Sequence, residues 1–113
     1  MTIEEFIILY LSGILSVPVS GDVPNPMPAS FVTVEQTGSR ETDKIRTATI
    51  AVQSWAQTRA GAGRLNKAVE EAMADMISEP EISRCALETS YNFTDLNTKT
   101  PRYQAVFSVI YHI

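Results

Sequence analysis

Two segments of the chain carry apolar residues at helical spacing, and we predict an α-helix for each. The first covers residues 2–15, where Thr2 and Glu5 have the spacing of a capping box, which satisfies free backbone N–H groups at a helix start. The second covers residues 59–78 and ends before Pro80. The positions expected to face the core are Ile3, Phe6, Ile7, Tyr10, Leu11 and Ile14 in the first helix, and Leu65, Ala68, Val69, Ala72, Met73, Met76 and Ile77 in the second.

Four other segments have the alternation of apolar and polar residues that is typical of β-strands, namely residues 31–37, 44–56, 83–94 and 102–113. A polar segment joins the first two strands and another joins the last two, so we predict two antiparallel hairpins. The order is helix, hairpin, helix, hairpin. The expected fold is therefore α+β: an antiparallel sheet of about four long strands packed with two helices, in one domain over residues 1–113.

The segment between the first helix and the first long strand, residues 17–30, contains four prolines. Proline has no backbone N–H and a fixed φ, so this segment cannot form a continuous helix or a central strand. We expect an ordered loop, in which Val17–Val19 pairs briefly as an edge strand.

The last strand has one fully apolar face and a second face that is half apolar. Its odd positions, from Tyr103 to Ile113, are all apolar, whereas its even positions place Val106 and Ile110 among polar residues. A strand of a monomer with one solvated face should alternate more cleanly. We therefore expect another subunit to cover part of this second face, and we predict Val106, Ile110 and the strand aromatic Trp55 as subunit-interface residues. The broad apolar surface of the first helix is the second surface that we expect to contact another subunit.

The two polar segments between paired strands are charged and carry no core residues. Loops on a rigid scaffold often hold the residues that recognise a partner. We predict partner contacts at one or both segments, with a merely solvated turn as the alternative for each. The candidate residues are Ser39, Arg40, Glu41 and Asp43 in the first, and Asp95, Asn97 and Lys99 in the second.

Composition and charge exclude several classes of function. The net charge of −4 argues against a dedicated nucleic-acid binder, which normally has a basic face. One cysteine, Cys85, and one histidine, His112, form neither a metal-ligand cluster nor a nucleophile with its base, so we predict no enzyme, no cofactor and no metal. The apolar opening segment is too short to span a bilayer and lacks the basic start of a secretory signal, so we expect a protein made in the cytoplasm that contacts no membrane.

Three segments carry a resemblance to a known family: VPVSGDVPNPMPASFVTVEQTG, IRTATIAVQSWAQTRAGAGRLNKAVEEAMADM and ALETSYNFTDLNTKTPRYQAVFSVIYHI. The most telling pieces are the proline loop that leads into Phe31–Glu35, the strand Ala51–Ala56 before a helix, and Tyr103–Phe107. The chain resembles the tail terminator and tail-completion proteins of long-tailed bacteriophages and prophages over nearly its whole length.

This resemblance implies a structural virion protein of the tail neck, with no enzymatic activity. Such a protein forms a homo-oligomeric ring, commonly a hexamer, on the head-proximal end of the tail tube. The implied partners are other copies of the chain, the tail tube protein and the head–tail connector or stopper protein. DNA can pass through the ring without sequence-specific recognition. A head-completion or stopper protein that contacts the portal is the alternative, and a small ligand-binding domain is a more distant one.

Overall fold

The computed structural model describes all 113 residues, which form an α+β fold with two α-helices and one five-stranded mixed sheet. In chain order the elements are α1 (Ile3–Ser12), β1 (Val19–Ser20), β2 (Phe31–Thr42), β3 (Ile45–Trp55), α2 (Arg59–Asp75), β4 (Ile82–Asn92) and β5 (Arg102–Tyr111). A short 3₁₀ turn, Met76–Ser78, follows the second helix. The order of strands in the sheet is β1-β2-β3-β5-β4.

Both expected hairpins are present, and they join at the centre of the sheet. Strands β2 and β3 form one antiparallel hairpin, β4 and β5 form the other, and β3 pairs antiparallel with β5. The brief edge pairing expected near Val17–Val19 occurs at Val19–Ser20, which pairs parallel to β2 through Val19 and Val32. This short fifth strand makes the sheet mixed.

Both helices pack against the same face of the sheet and close one hydrophobic core there. The strand residues in this core follow the period of two, with Ala48, Ile50 and Val52 of β3 pointing inward. The hydroxyl of Tyr10 donates to the backbone oxygen of Ala72 at 2.6 Å and ties the two helices together. The buried core comprises Ile3, Ile7, Leu11, Val32, Val34, Ala48, Ile50, Val52, Val69, Ala72, Met73, Met76, Ile82, Ala105, Phe107 and Val109.

Helix α1 begins as predicted but is shorter. The capping box is formed: the Thr2 hydroxyl accepts from the Glu5 N–H at 3.0 Å, and the Glu5 carboxylate accepts from the Thr2 N–H at 2.8 Å. The helix ends at Ser12, before Gly13, so Ile14 lies outside it and is exposed rather than in the core.

Helix α2 presents a slightly different face to the sheet than predicted. It stops at Asp75, and Ile77, in the 3₁₀ turn, is exposed. Leu65, which we predicted as a core residue, is only half-buried. Asn66, which is not among the predicted core positions, is buried and donates through Nδ2 to Glu70 Oε2 at 2.7 Å and to Ser90 Oγ at 2.8 Å. The helix is thus bound to β4 by a polar contact as well as by apolar packing.

The first hairpin corrects the predicted boundary of the polar segment. Strand β2 runs on to Thr42, and the turn is the two-residue step Asp43–Lys44, with φ values of 52° and 67°. Positive φ at both central residues is characteristic of the type I′ turn, whose twist matches that of paired strands.

Neither helix is long and apolar enough to cross a membrane.

Candidate assembly surfaces

The face of the sheet opposite the helices is not covered by a helix, and we call it the open face. Val106 and Ile110 lie on it, half-buried. Each has small or polar cross-strand neighbours: Val106 sits between Ala51 and Thr89, and Ile110 between Thr47 and Arg84. The two predicted interface residues are therefore separate aliphatic positions on a largely polar surface.

A row of polar side chains crosses the open face near one end of the sheet. Gln53 Nε2 donates to Gln104 Oε1 at 2.8 Å, and Gln104 Nε2 donates to the Tyr91 hydroxyl at 2.5 Å. The Thr33 hydroxyl reaches Gln53 Oε1 at 3.4 Å. The row joins β2, β3, β5 and β4 in order, so it fixes the four strands relative to each other without a helix on this side.

Trp55, the third predicted interface residue, is only 3% exposed, which contradicts a direct role in subunit contact. Its ring stacks on Phe31 with centroids 5.2 Å apart, and its Nε1–H donates to the Thr33 hydroxyl at 3.2 Å. The guanidinium of Arg102 lies 4.7 Å from the Trp55 ring centroid and 4.3 Å from that of Phe93. Neighbouring side chains of the same subunit thus cover the indole, and its role is to hold this end of the sheet together.

The residues predicted at the first polar segment do not form a loop. Ser39, Arg40 and Glu41 lie within β2 and pair with β3, and only Asp43 belongs to the turn. All four are exposed, and Glu41 Oε1 lies 3.8 Å from Nε of Arg46 on the neighbouring strand. This pair is largely solvent-exposed and contributes little to stability. The end of this hairpin is therefore a rigid, charged β-ribbon.

The second polar segment is a true loop, from Phe93 to Pro101, between β4 and β5. Asp95 Oδ1 accepts from the N–H of Asn97 at 2.9 Å, and this bond, with that from Thr98, lowers the pKa of the Asp95 carboxyl. Lys99 is exposed and has a φ of 57°. A local turn therefore positions the three predicted residues Asp95, Asn97 and Lys99 on one loop.

Sequence reasoning missed the most exposed apolar residue of the chain, Leu96, which lies in this same loop and is 88% exposed. Its neighbours in the sequence are polar, so the segment reads as a solvated turn. A single leucine in the middle of such a turn was the available signal, because nothing in a turn requires that side chain.

The two hairpin ends lie at opposite ends of the sheet. Arg46, next to the first turn, pairs with Tyr111, whereas Trp55, at the far end of the same strand, pairs with Arg102, which follows the second loop. The molecule is 43 Å long and 25 by 23 Å across. The predicted partner-contacting residues therefore form two separate sites, which cannot belong to one binding surface.

Titratable groups with the chemistry of a nucleophile or a metal ligand are few and scattered. His112 is exposed, and Cys85 is half-buried on β4. Side chains of His, Cys, Asp and Glu do not gather in groups of three or more that could hold a metal ion.

Cys85 is expected to react slowly with alkylating reagents, because burial raises the pKa of its thiol to about 11. A free cysteine has a pKa of about 8.5, and the thiolate is the reactive form. We expect alkylation by iodoacetamide at pH 8 to be about two orders of magnitude slower in the folded protein than in urea. The rate should rise about tenfold per pH unit in the folded protein up to pH ~11. Equal rates in the two states would contradict this assignment.

Comparison of the sequence with models of known protein families gives no match, and comparison with curated proteins gives none either. The basis for a functional assignment is therefore the open face, the two opposite ends of the sheet, and the segments of sequence that carry the resemblance.

Proposed function

We propose that this chain is a structural protein of the phage virion that forms a ring at the head-proximal end of the tail tube. There it ends polymerisation of the tube and joins the tail to the head connector. The observation that carries this proposal is a sheet covered by helices on one face only, with its charged hairpin ends at opposite ends of the molecule. The proposed partners, tail tube and head connector, are those implied by the resemblance of the proline loop and of the β3 and β5 segments to tail terminators.

A ring needs two different surfaces on each copy, because a patch that pairs only with itself closes a dimer. The open face, with Val106 and Ile110, supplies one such surface. Helix α1 supplies another, since Leu9 is 61% exposed and Phe6 is only half-buried. We assign both surfaces to contacts between copies, in a ring that we propose to be a hexamer.

The opposite hairpin ends support a role between two partners. A ring placed between tube and connector meets a different protein on each side. The β-ribbon with Arg40 and Glu41 and the loop with Asp95 and Lys99 are both exposed, and they point away from each other along the sheet. Each end is therefore available for a contact with another protein or with another copy of the chain, and the ring channel leaves a path for DNA.

The proposal is tested with purified protein and with tail tubes assembled from the tube protein of the same phage genome. Light scattering and native mass spectrometry report whether the chain forms a ring, and electron microscopy reports tube lengths. We expect a ring that binds at one tube end and stops further growth. A chain that stays monomeric and leaves tube length unchanged would overturn the proposal. Capture by the portal but not by tubes would instead indicate the stopper protein.

A further inference from the structure

An apolar groove lies between α1 and the segment that precedes β4. Its floor and walls include Phe6, Leu9 and Tyr10 of α1, with Met1 and Ile113 beside them. Two acidic residues, Glu79 and Glu81, also line it. The lining of the groove therefore combines apolar side chains with two carboxylates.

A matching protrusion exists at the other end of the same chain. Leu96 projects from the loop between β4 and β5, with the exposed cation Lys99 in the same loop. The groove borders the start of β4 and the loop follows its end, so the eleven residues of β4 separate them. Leu96 cannot reach the groove of its own subunit, but it can reach that of a second copy.

Helix α2 carries its charges in the order that its own dipole disfavours. A helix is stabilised by acidic side chains in its first turn and basic ones in its last, and α2 has neither. Its exposed basic residues precede its acidic residues: Arg59, Arg64 and Lys67 come first, and Glu70, Glu71 and Asp75 follow. The arrangement does not stabilise the helix itself, and it gives α2 a basic half and an acidic half.

These charged halves coincide with the protrusion and the groove. The basic half of α2 lies beside the loop. Gly63 is next to the ring of Tyr103, and the backbone N–H of Ala56, shortly before the helix, donates to the backbone oxygen of Pro101. The acidic half lies beside the groove, since Tyr10, which lines the groove, is bound to Ala72. The one ion pair in the chain joins Arg46 and Glu41, so Lys99, Glu79 and Glu81 have no salt-bridge partner in their own subunit.

The geometry points to an end-to-end contact between two copies, in which Leu96 of one copy enters the α1 groove of the next. Lys99 then approaches Glu79 and Glu81, and the basic half of α2 in one subunit faces the acidic half of α2 in its neighbour. The contact joins two different surfaces, so it propagates around a ring and does not close a dimer. This inference rests on the proposed ring and names a contact that builds it.

Crosslinking of mixed variants tests the contact directly. In a Cys85→Ser background, Leu96→Cys and Leu9→Cys are prepared as separate proteins and treated with a short bismaleimide. We expect crosslinked dimers only when the two variants are mixed, because each copy supplies one half of the contact. Ile45→Cys mixed with Leu9→Cys is the matched control. Ile45 is exposed at the end of the sheet opposite Leu96, so this mixture should give no dimer. Crosslinking of Leu96→Cys with itself would overturn the inference, as would no crosslink in the mixture.

Charge reversal provides a second readout. Lys99→Glu and Glu81→Lys should each weaken self-association by at least about tenfold, and mixing the two should restore it, because alternating copies bring opposite charges together at every contact. Lys44→Glu, the same change at the first hairpin turn, should alter association by less than about twofold.

These experiments distinguish failure of the end-to-end contact from failure of the proposed ring function. If the wild-type ring forms and caps tubes but Lys99→Glu and Glu81→Lys assemble normally, the end-to-end contact is wrong and the ring function stands. If the wild-type chain neither assembles nor caps tubes, both are wrong.

Discussion

Replacement of Trp55 by alanine is expected to lower the free energy of unfolding by about 3–5 kcal/mol, the range for truncating a buried aromatic residue. The indole is covered on one side by Phe31 and contacted by Arg102, and its N–H is bonded to Thr33. Its removal leaves a cavity where β2, β3 and β5 meet. A domain of this size has a total stability of about 5–15 kcal/mol, so the change removes a large share of it. Urea unfolding followed by circular dichroism measures the effect.

Two variants separate the contributions at this position. Trp55→Phe keeps an aromatic ring on Phe31 but loses the N–H bond to Thr33, and a loss of about 1–2 kcal/mol is expected. Phe93→Ala removes the exposed ring on the other side of Arg102 and should cost about 1 kcal/mol or less. If Trp55→Ala were no more destabilising than Phe93→Ala, the indole would not hold this end of the sheet.

The double variant Val106→Asp/Ile110→Asp is expected to abolish assembly while the subunit stays folded. Both side chains lie on the open face and are only half-buried, so the core on the helix side keeps its packing. In the proposed ring a neighbouring copy covers them, and two buried carboxylates without partners are strongly unfavourable. We expect the association constant to fall by at least about a hundredfold. Analytical ultracentrifugation measures association, and circular dichroism checks the fold.

The matched control for this variant is Val23→Asp/Ile77→Asp, which makes the same chemical change at two exposed aliphatic residues outside the open face. It should assemble like the wild type. Val106→Thr/Ile110→Thr keeps the side-chain shape, removes apolar area and should have an intermediate effect. Normal assembly of the double aspartate variant would show that these two residues lie outside the interface.

Much of the fold could be predicted from the sequence, because the core of one sheet face imposes a strict period of two. The inward positions of β3 and the buried residues Ala105, Phe107 and Val109 of β5 follow directly from that alternation. The start of α1 was equally clear, since the capping box is a local signal between Thr2 and Glu5.

The sequence was less informative where burial does not decide the structure. Ser39, Arg40 and Glu41 read as a loop because a strand exposed on both faces has no apolar alternation, although backbone pairing with β3 fixes it. Asn66 read as a surface residue because only the tertiary contact with Ser90 reveals its polar partner.

The candidate sites were harder to predict than the fold, since each depends on which side chains are already covered. The alternation placed Trp55 correctly on the face opposite the core, but it could not show that Phe31 and Arg102 cover it. Conversely, the exposed Leu96 was hidden in a polar segment. An interface is defined by what remains uncovered after folding, and local pattern carries little of that information.

Glu4 has a consequence for the behaviour of the protein at high concentration. Its carboxylate accepts the backbone N–H of Gln36 at 2.8 Å, on the outer side of β2 beyond the short pairing with β1. A free edge strand offers a template on which other chains can add as cross-β aggregates. By occupying a donor on that edge, a side chain from the first turn of a helix hinders the addition of another strand to β2 at this position.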